Sequence, residues 1–145
     1  MDKKNYIFFR GGKKNTYDVL PLISRACEGL VYMSETDAPV TAVDLGAADS
    51  IDGEIILQRA GLKAGTEINE VEVKTFFARL TAIKEWQTDS QTARAKKFLA
   101  LGKVLEKSLR SLKVYRFGKV QIDILIVGLD DEGRILGVRT NAVET

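Results

Sequence analysis

The stretch that decides the fold is V-Y-R-F-G-K-V-Q-I-D-I-L-I-V-G-L-D-D-E-G-R-I-L-G-V-R-T-N-A-V-E-T, which runs from Val114 to Thr145. It holds three strand-like runs that are rich in branched and aromatic side chains. These runs are residues 114–117, 120–127 and 135–139. Gly118 ends the first run, and the acidic stretch 129–134 has the residues of a hairpin turn between the other two. The sequence therefore predicts a largely antiparallel sheet here.

A long amphipathic helix is predicted just before this stretch, from about Thr88 to Leu112. Thr88 or Asp89 can cap its first turn. Apolar residues recur every three or four positions and fall on one side of such a helix. They are Phe98, Leu101, Leu105, Leu109 and Leu112. A buried helix face followed by a hairpin indicates helices packed on a mostly antiparallel sheet, which is an α+β fold.

Basic side chains fall on the opposite side of this predicted helix. They are Lys96, Lys103, Lys107 and Arg110. One interpretation is an ordinary solvated face. The alternative is a phosphate-binding stripe, which would make the protein a basic nucleic-acid-binding module, although no aromatic residue lies among the four to stack on bases.

Residues 17–145 are predicted to form a single domain, with several shorter elements before the long helix. These are a helix over 19–27, an apolar run over 30–33 that leads into an acidic loop, a strand over 40–45, a helix over 54–60, a strand over 68–73 and a short helix or turn over 74–80. The loop 46–53 is rich in carboxylates, but their spacing does not match a calcium-binding loop. We therefore interpret it as a solvated loop that caps the next helix.

Residues 1–16 form a basic extension with a short apolar patch at residues 6–9 and a Gly11-Gly12 break. Chain termini are often poorly ordered, which favours a mobile extension. An extra edge strand, or a basic arm that contacts an acidic partner, remains an open alternative.

The composition bounds the function. The chain has 145 residues, a net charge of +2, one cysteine and no histidine. The lack of histidine removes the commonest general base, nucleophile partner and zinc ligand, so an enzyme is disfavoured, and a carboxylate-based hydrolase is the weakest of the hypotheses. No signal peptide or membrane-length apolar run is present, so a cytoplasmic location is expected, and the sequence indicates no cofactor.

Three residues stand out as candidates for binding. Glu35 lies in a loop directly after an apolar run. Trp86 is the only tryptophan and lies in a charged connector, where it is either an exposed interface anchor or a plug between helices. Thr145 offers a hydroxyl and an α-carboxylate, which are hard oxygen donors of the kind that Mg²⁺ or Mn²⁺ accepts, although a frayed end is the plainer interpretation.

At these residues the chain resembles the NuiA-like family, the protein inhibitors of bacterial sugar-non-specific endonucleases. The likeness runs from about Gly29 to Thr145 and is long and collinear. It is carried by G-L-V-Y-M-S-E at 29–35, F-F-A-R at 76–79 together with Trp86, V-Y-R-F-G-K-V-Q-I-D at 114–123, and V-E-T at 143–145.

The resemblance implies a three-layer α/β/α sandwich with a mostly antiparallel sheet, of the PR-1-like kind. It also implies a one-to-one complex with an endonuclease of the ββα-metal type. By position, Glu35, Trp86 and Thr145 would act at the nuclease active site, with the Thr145 hydroxyl approaching the nuclease's divalent metal in the complex. Asp37 and Glu144 are further candidates for nuclease binding. The net charge of +2 is less acidic than that expected of a protein docking on a phosphate-binding cleft, so either the partner nuclease is differently charged or the acidic patch is local. Such a patch would be built from Glu35, Asp37, Asp130, Asp131 and Glu144.

Overall fold

The computed structural model describes residues 16–145, which form helices and strands in an α+β arrangement. The helices are α1 (Thr16–Ala26), α2 (Gly53–Arg59), α3 (Val73–Thr81) and α4 (Asp89–Ser108). The strands are β1 (Val31–Met33), β2 (Asp37–Pro39), β3 (Thr41–Ala47), β4 (Ile68–Val71), β5 (Arg110–Phe117), β6 (Gln121–Leu129) and β7 (Arg134–Val143). The predicted basic extension lies outside the described residues, apart from Thr16 at the start of α1.

The main sheet has the strand order β3-β7-β6-β5-β4, and every neighbouring pair is antiparallel. β1 and β2 form a separate two-stranded hairpin. At one end of the main sheet Gln121 pairs with Val143, and at the other end Leu129 pairs with Ile135. We call these the Val143 end and the Leu129 end. The mostly antiparallel sheet expected from the sequence is confirmed.

Alternation along β6 divides the core between the two sheet faces. Ile124 and Ile126 belong to one buried cluster, and Leu125 and Val127 belong to the other, as the two-residue period of a strand requires. The first cluster holds residues from α1, α3 and α4, and the second holds residues from α2. Continuous apolar sequence in β6 therefore reflects burial on both faces.

Local sequence signals explain where several elements begin. The Thr88 hydroxyl accepts a hydrogen bond from the Gln91 amide at 3.2 Å, and the Gln91 side chain accepts one from the Thr88 amide at 2.9 Å. This capping box starts α4 at Thr88, which is one of the two predicted caps. Asp52 accepts from the Ile55 amide at 3.0 Å, which confirms that the acidic loop caps α2. In the β6–β7 turn the Asp130 carboxylate accepts from the amides of Glu132 and Arg134 at 2.8 and 2.9 Å.

The long helix is shorter than the periodicity predicted. It ends at Ser108, and Leu109 has extended backbone angles of −126° and 148°. Arg110 then pairs with Leu129 of β6, so the strand begins four residues before the predicted start at residue 114. Pairing in the sheet, together with the positive φ of 57° at Ser111, overrides the helical pattern.

Two further predictions are corrected. The acidic loop after residues 30–33 is a hairpin, because Met33 pairs with Asp37 and Asp37 therefore lies on a strand. The last strand was expected over 135–139 but continues to Val143, because β6 offers pairing partners as far as Gln121. This continuation carries the chain to the candidate site. Within residues 16–145 no helix is long and apolar enough to cross a membrane.

Candidate functional site

The last residue of β7 and the two residues after it, 143–145, lie between the β1–β2 hairpin and the β5–β6 turn. The Val143 amide donates to the Ser34 hydroxyl at 3.0 Å, and the Val143 carbonyl accepts from the Glu35 amide at 3.2 Å. On the other side, the Glu144 amide donates to the Val120 carbonyl at 2.9 Å. We call this the 143–145 segment. It is held from two sides by backbone and hydroxyl groups.

Glu35 and Thr145 meet at the Val143 end, although 110 residues separate them in sequence. The Thr145 amide donates to Glu35 Oε2 at 2.7 Å, and the Thr145 hydroxyl lies 2.9 and 3.1 Å from the two carboxylate oxygens. The backbone hydrogen bond and then the hydroxyl hydrogen bond lower the pKa of Glu35. Both residues are exposed, so this ionised carboxylate and the hydroxyl beside it face solvent.

Acidification should release Thr145 only below the pH at which an ordinary glutamate is protonated. Because the pKa of Glu35 is lowered, the bond is present above the ordinary pKa and is lost as pH falls through the lowered value. An NMR titration of the Thr145 amide checks this, with Glu35→Gln as the control that removes the titrating group. A midpoint at or above the ordinary glutamate pKa would contradict the prediction.

Glu144 is directed away from Glu35 and forms an ion pair within the protein. Its Oε1 atom lies 2.6 Å from an Arg116 guanidinium nitrogen of β5. The Arg116 side chain is 20% exposed and lines the same cavity as Tyr32. The sequence did not single out Ser34, Arg116 or Tyr32, although all three lie in stretches that carried the family resemblance.

Trp86 is exposed in the connector between α3 and α4, with 74% of its surface accessible. The structure therefore supports the exposed alternative over a plug between helices. Lys84 Nζ lies 5.5 Å from the centre of the indole ring. The connector itself is held by Gln87, whose side-chain amide bonds the Ala82 carbonyl at 3.2 Å and the Lys84 amide at 3.1 Å.

The path of α4 places Trp86 toward the same end of the sheet as Thr145. Leu109, just after α4, lies beside Gly128 near the Leu129 end. Phe98, near the middle of α4, has its ring 6.4 Å from that of Tyr32, and Tyr32 lines a cavity together with Arg116 and Glu144. The start of α4, and Trp86 just before it, therefore extend beyond Phe98 toward the Val143 end. No described contact joins Trp86 to Glu35 or Thr145.

The comparison with protein families assigns residues 18–145 to the family model described as nuclease A inhibitor-like protein. The chain belongs to the nuclease A inhibitor-like family. No curated protein matched the chain significantly. The family match covers every element of the described structure except the first two residues of α1. It indicates a nuclease inhibitor role, and it confirms the relationship that the sequence resemblance suggested.

In this member of the nuclease A inhibitor-like family, the expected acidic patch is smaller than predicted. Asp37 is exposed on β2, in the same hairpin as Glu35. Asp130 and Asp131 lie in the β6–β7 turn at the Leu129 end, because β6 runs away from the Val143 end toward that turn. Those two residues therefore do not join the group around Glu35.

The basic stripe predicted on the long helix has fewer members in the structure than expected. Lys96, Lys103 and Lys107 are exposed on α4, at a spacing that keeps them on one side of the helix. Arg110 lies on β5 beyond the end of α4, so the predicted four-residue helical stripe has three members. Among the described residues no group of three or more histidine, cysteine, aspartate or glutamate side chains could hold a metal ion.

Proposed function

We propose that this protein binds a sugar-non-specific DNA/RNA endonuclease of the ββα-metal type in a one-to-one complex and blocks its metal-containing active site. Glu35, Trp86 and Thr145 would contact the nuclease, and Asp37 would lie at the edge of the interface. The observation that carries the proposal is the exposed Glu35–Thr145 pair in a member of a nuclease inhibitor family. We further propose that the protein has no catalytic activity of its own.

The chemistry of the pair suits the active site of a phosphodiesterase. Such a site attracts phosphate oxygens to a divalent metal and basic side chains. The Glu35 carboxylate and the Thr145 hydroxyl are hard oxygen donors of the kind that Mg²⁺ or Mn²⁺ accepts. The hydroxyl can donate its proton to Glu35 while an oxygen lone pair stays available to the partner's metal. Neither group offers a phosphodiester bond to cleave. The inhibitor would therefore occupy the active site of the nuclease and exclude nucleic acid from it.

A titration of nuclease activity tests the proposal. Increasing amounts of the protein should abolish cleavage of DNA and RNA by a sugar-non-specific endonuclease of this type, with the endpoint at equimolar inhibitor. Heat-denatured protein serves as the control for nonspecific effects. Full nuclease activity at a severalfold molar excess of folded protein would contradict the proposal for that nuclease.

Replacing Trp86 with alanine should weaken inhibition by roughly tenfold or more, because large exposed aromatic side chains are frequent anchors of protein interfaces. The thermal stability should hardly change, since most of the indole surface is already in solvent. The comparison variant is Ile83→Ala, which removes another exposed apolar side chain, 54% accessible, from the same connector. Equal losses in the two variants would contradict a specific role for Trp86.

We also propose that the fold is a three-layer sandwich and that the protein is cytoplasmic. Helices that contact opposite faces of the sheet support a PR-1-like three-layer α/β/α sandwich. A cytoplasmic location would suit an inhibitor that protects the nucleic acid of the cell that makes it.

A further inference from the structure

The Arg116–Glu144 ion pair lies directly next to Thr145 in the chain. Side chains alternate along an extended segment, so Thr145 points to Glu35 while Glu144 points to Arg116. The Glu144 backbone amide is also held, by the Val120 carbonyl at 2.9 Å. Glu144, the residue before Thr145, is therefore held through both its side chain and its backbone.

Packing alone does not hold the Glu144 side chain. It is 47% exposed and lines a cavity of about 400 Å³, together with Arg116, Arg79 and Thr75. A side chain with open space beside it keeps one position only if a polar partner holds it there. The guanidinium of Arg116, at 2.6 Å, is that partner.

Arg116 is itself connected to the core. It lines the cavity together with Tyr32, whose ring stacks on Phe76 with centres 6.2 Å apart and contacts Phe98 edge-on at 6.4 Å. Phe76 and Phe98 are buried. Buried aromatic rings of α3 and α4 thus pack against Tyr32, which lines the cavity beside the Arg116–Glu144 ion pair.

We propose that Arg116 is a positioning residue for inhibition: it holds Glu144 and thereby sets the place and rigidity of the Thr145 hydroxyl. Glu144 then contributes to nuclease binding indirectly, because it holds the 143–145 segment and does not itself contact the nuclease. The inference rests on the proposed function, because it assigns a role to the support of a residue that would contact the nuclease. Ordering the segment before binding lowers the entropic cost of forming the complex.

A double-mutant cycle with Arg116→Met and Glu144→Gln tests the proposal. Each single variant should weaken inhibition of the endonuclease by roughly tenfold, the effect of losing a hydrogen bond between charged groups. The double variant should be no weaker than either single variant, because both remove the same contact. Arg116→Lys, which keeps the cation, should recover part of the loss. Additive losses would show that Glu144 contacts the nuclease directly and would overturn the proposal.

NMR of the free protein gives a readout that needs no nuclease. In Arg116→Met the Thr145 amide should shift and become more mobile, while the amide of Ile124 in the core should not. Lys113→Met is the matched control, since it removes another ion pair of β5, to Glu70 at 3.2 Å, away from the 143–145 segment. An unchanged Thr145 amide in Arg116→Met overturns the proposal. If the unaltered protein inhibits no nuclease, the proposed function fails, while this measurement still decides whether Arg116 positions Thr145.

Discussion

Replacing Glu35 with alanine should weaken inhibition of the nuclease by roughly a hundredfold, an effect typical of a central interface residue. The change removes a carboxylate that would face the basic, metal-containing site of the nuclease. It also removes the hydrogen bonds that hold the amide and hydroxyl of Thr145. Because Glu35 is exposed, the melting temperature should change by no more than about 2 °C. A tight-binding inhibition titration and a thermal melt measure the two effects.

Two further substitutions separate charge from contact. Glu35→Gln keeps the size of the side chain and one acceptor oxygen. It should therefore inhibit the nuclease less strongly than the unaltered protein and more strongly than Glu35→Ala. Asp37→Asn removes a negative charge from the same hairpin, and no described hydrogen bond joins Asp37 to Thr145. Asp37→Asn should therefore weaken inhibition less than Glu35→Ala does. A loss as large as that of Glu35→Ala would mean that the charge of the hairpin, and not the Glu35–Thr145 pair, drives binding.

Replacing Gly137 with alanine should destabilise the fold by at least ~3 kcal/mol, at or beyond the upper end for an overpacked core. A Cβ atom at this position would lie 1.9 Å from the Ile126 carbonyl oxygen and 2.8 Å from Val127 Cα. These are backbone atoms of β6, and Gly137 also pairs with Val43 of β3 on its other side. The clash therefore has no flexible side chain to absorb it, and two strand pairings must shift. Since small domains have a net stability of about 5–15 kcal/mol, urea unfolding should show a clear loss.

Gly102→Ala is the matched control for this prediction. The three atoms nearest to the added methyl would be ring carbons of Phe77, two at 3.3 Å and one at 3.7 Å, and Gly102 lies within α4. Alanine favours the helix by up to about 1 kcal/mol over glycine, which offsets the tight contact. The free energy of unfolding should stay within about 1 kcal/mol of the unaltered protein. An unchanged urea midpoint for Gly137→Ala would show that β6 and β7 can separate without cost, contrary to the packing.

Much of the fold follows from local sequence signals. The capping box at Thr88, the cap at Asp52 and the turn at Asp130 all act over two to four residues, so they can be recognised in the sequence. The apolar run over residues 120–127 predicted a strand, and β6 forms there. The family resemblance also came from the sequence, because the matching stretches are collinear over most of the chain.

The ends of elements were less predictable. Leu109 continues the apolar period of α4, yet it has an extended backbone because Arg110 pairs with Leu129. The last strand passes residue 139 for the same reason, since β6 offers partners as far as Gln121. In both cases a long-range strand pairing decided the boundary, and helical or β propensity at one position is too weak to oppose it.

The sequence by itself determined the α+β class, most of the elements and the residue types that could serve a nuclease inhibitor. Only the tertiary structure decided how those residues are arranged. It joined Glu35 to Thr145, left Trp86 in solvent, put Asp130 and Asp131 at the far end of the sheet, and paired Glu144 with Arg116. The reason is physical: hydrogen bonds between residues 28 to 110 positions apart depend on strand order and register, and no local pattern of residues specifies either.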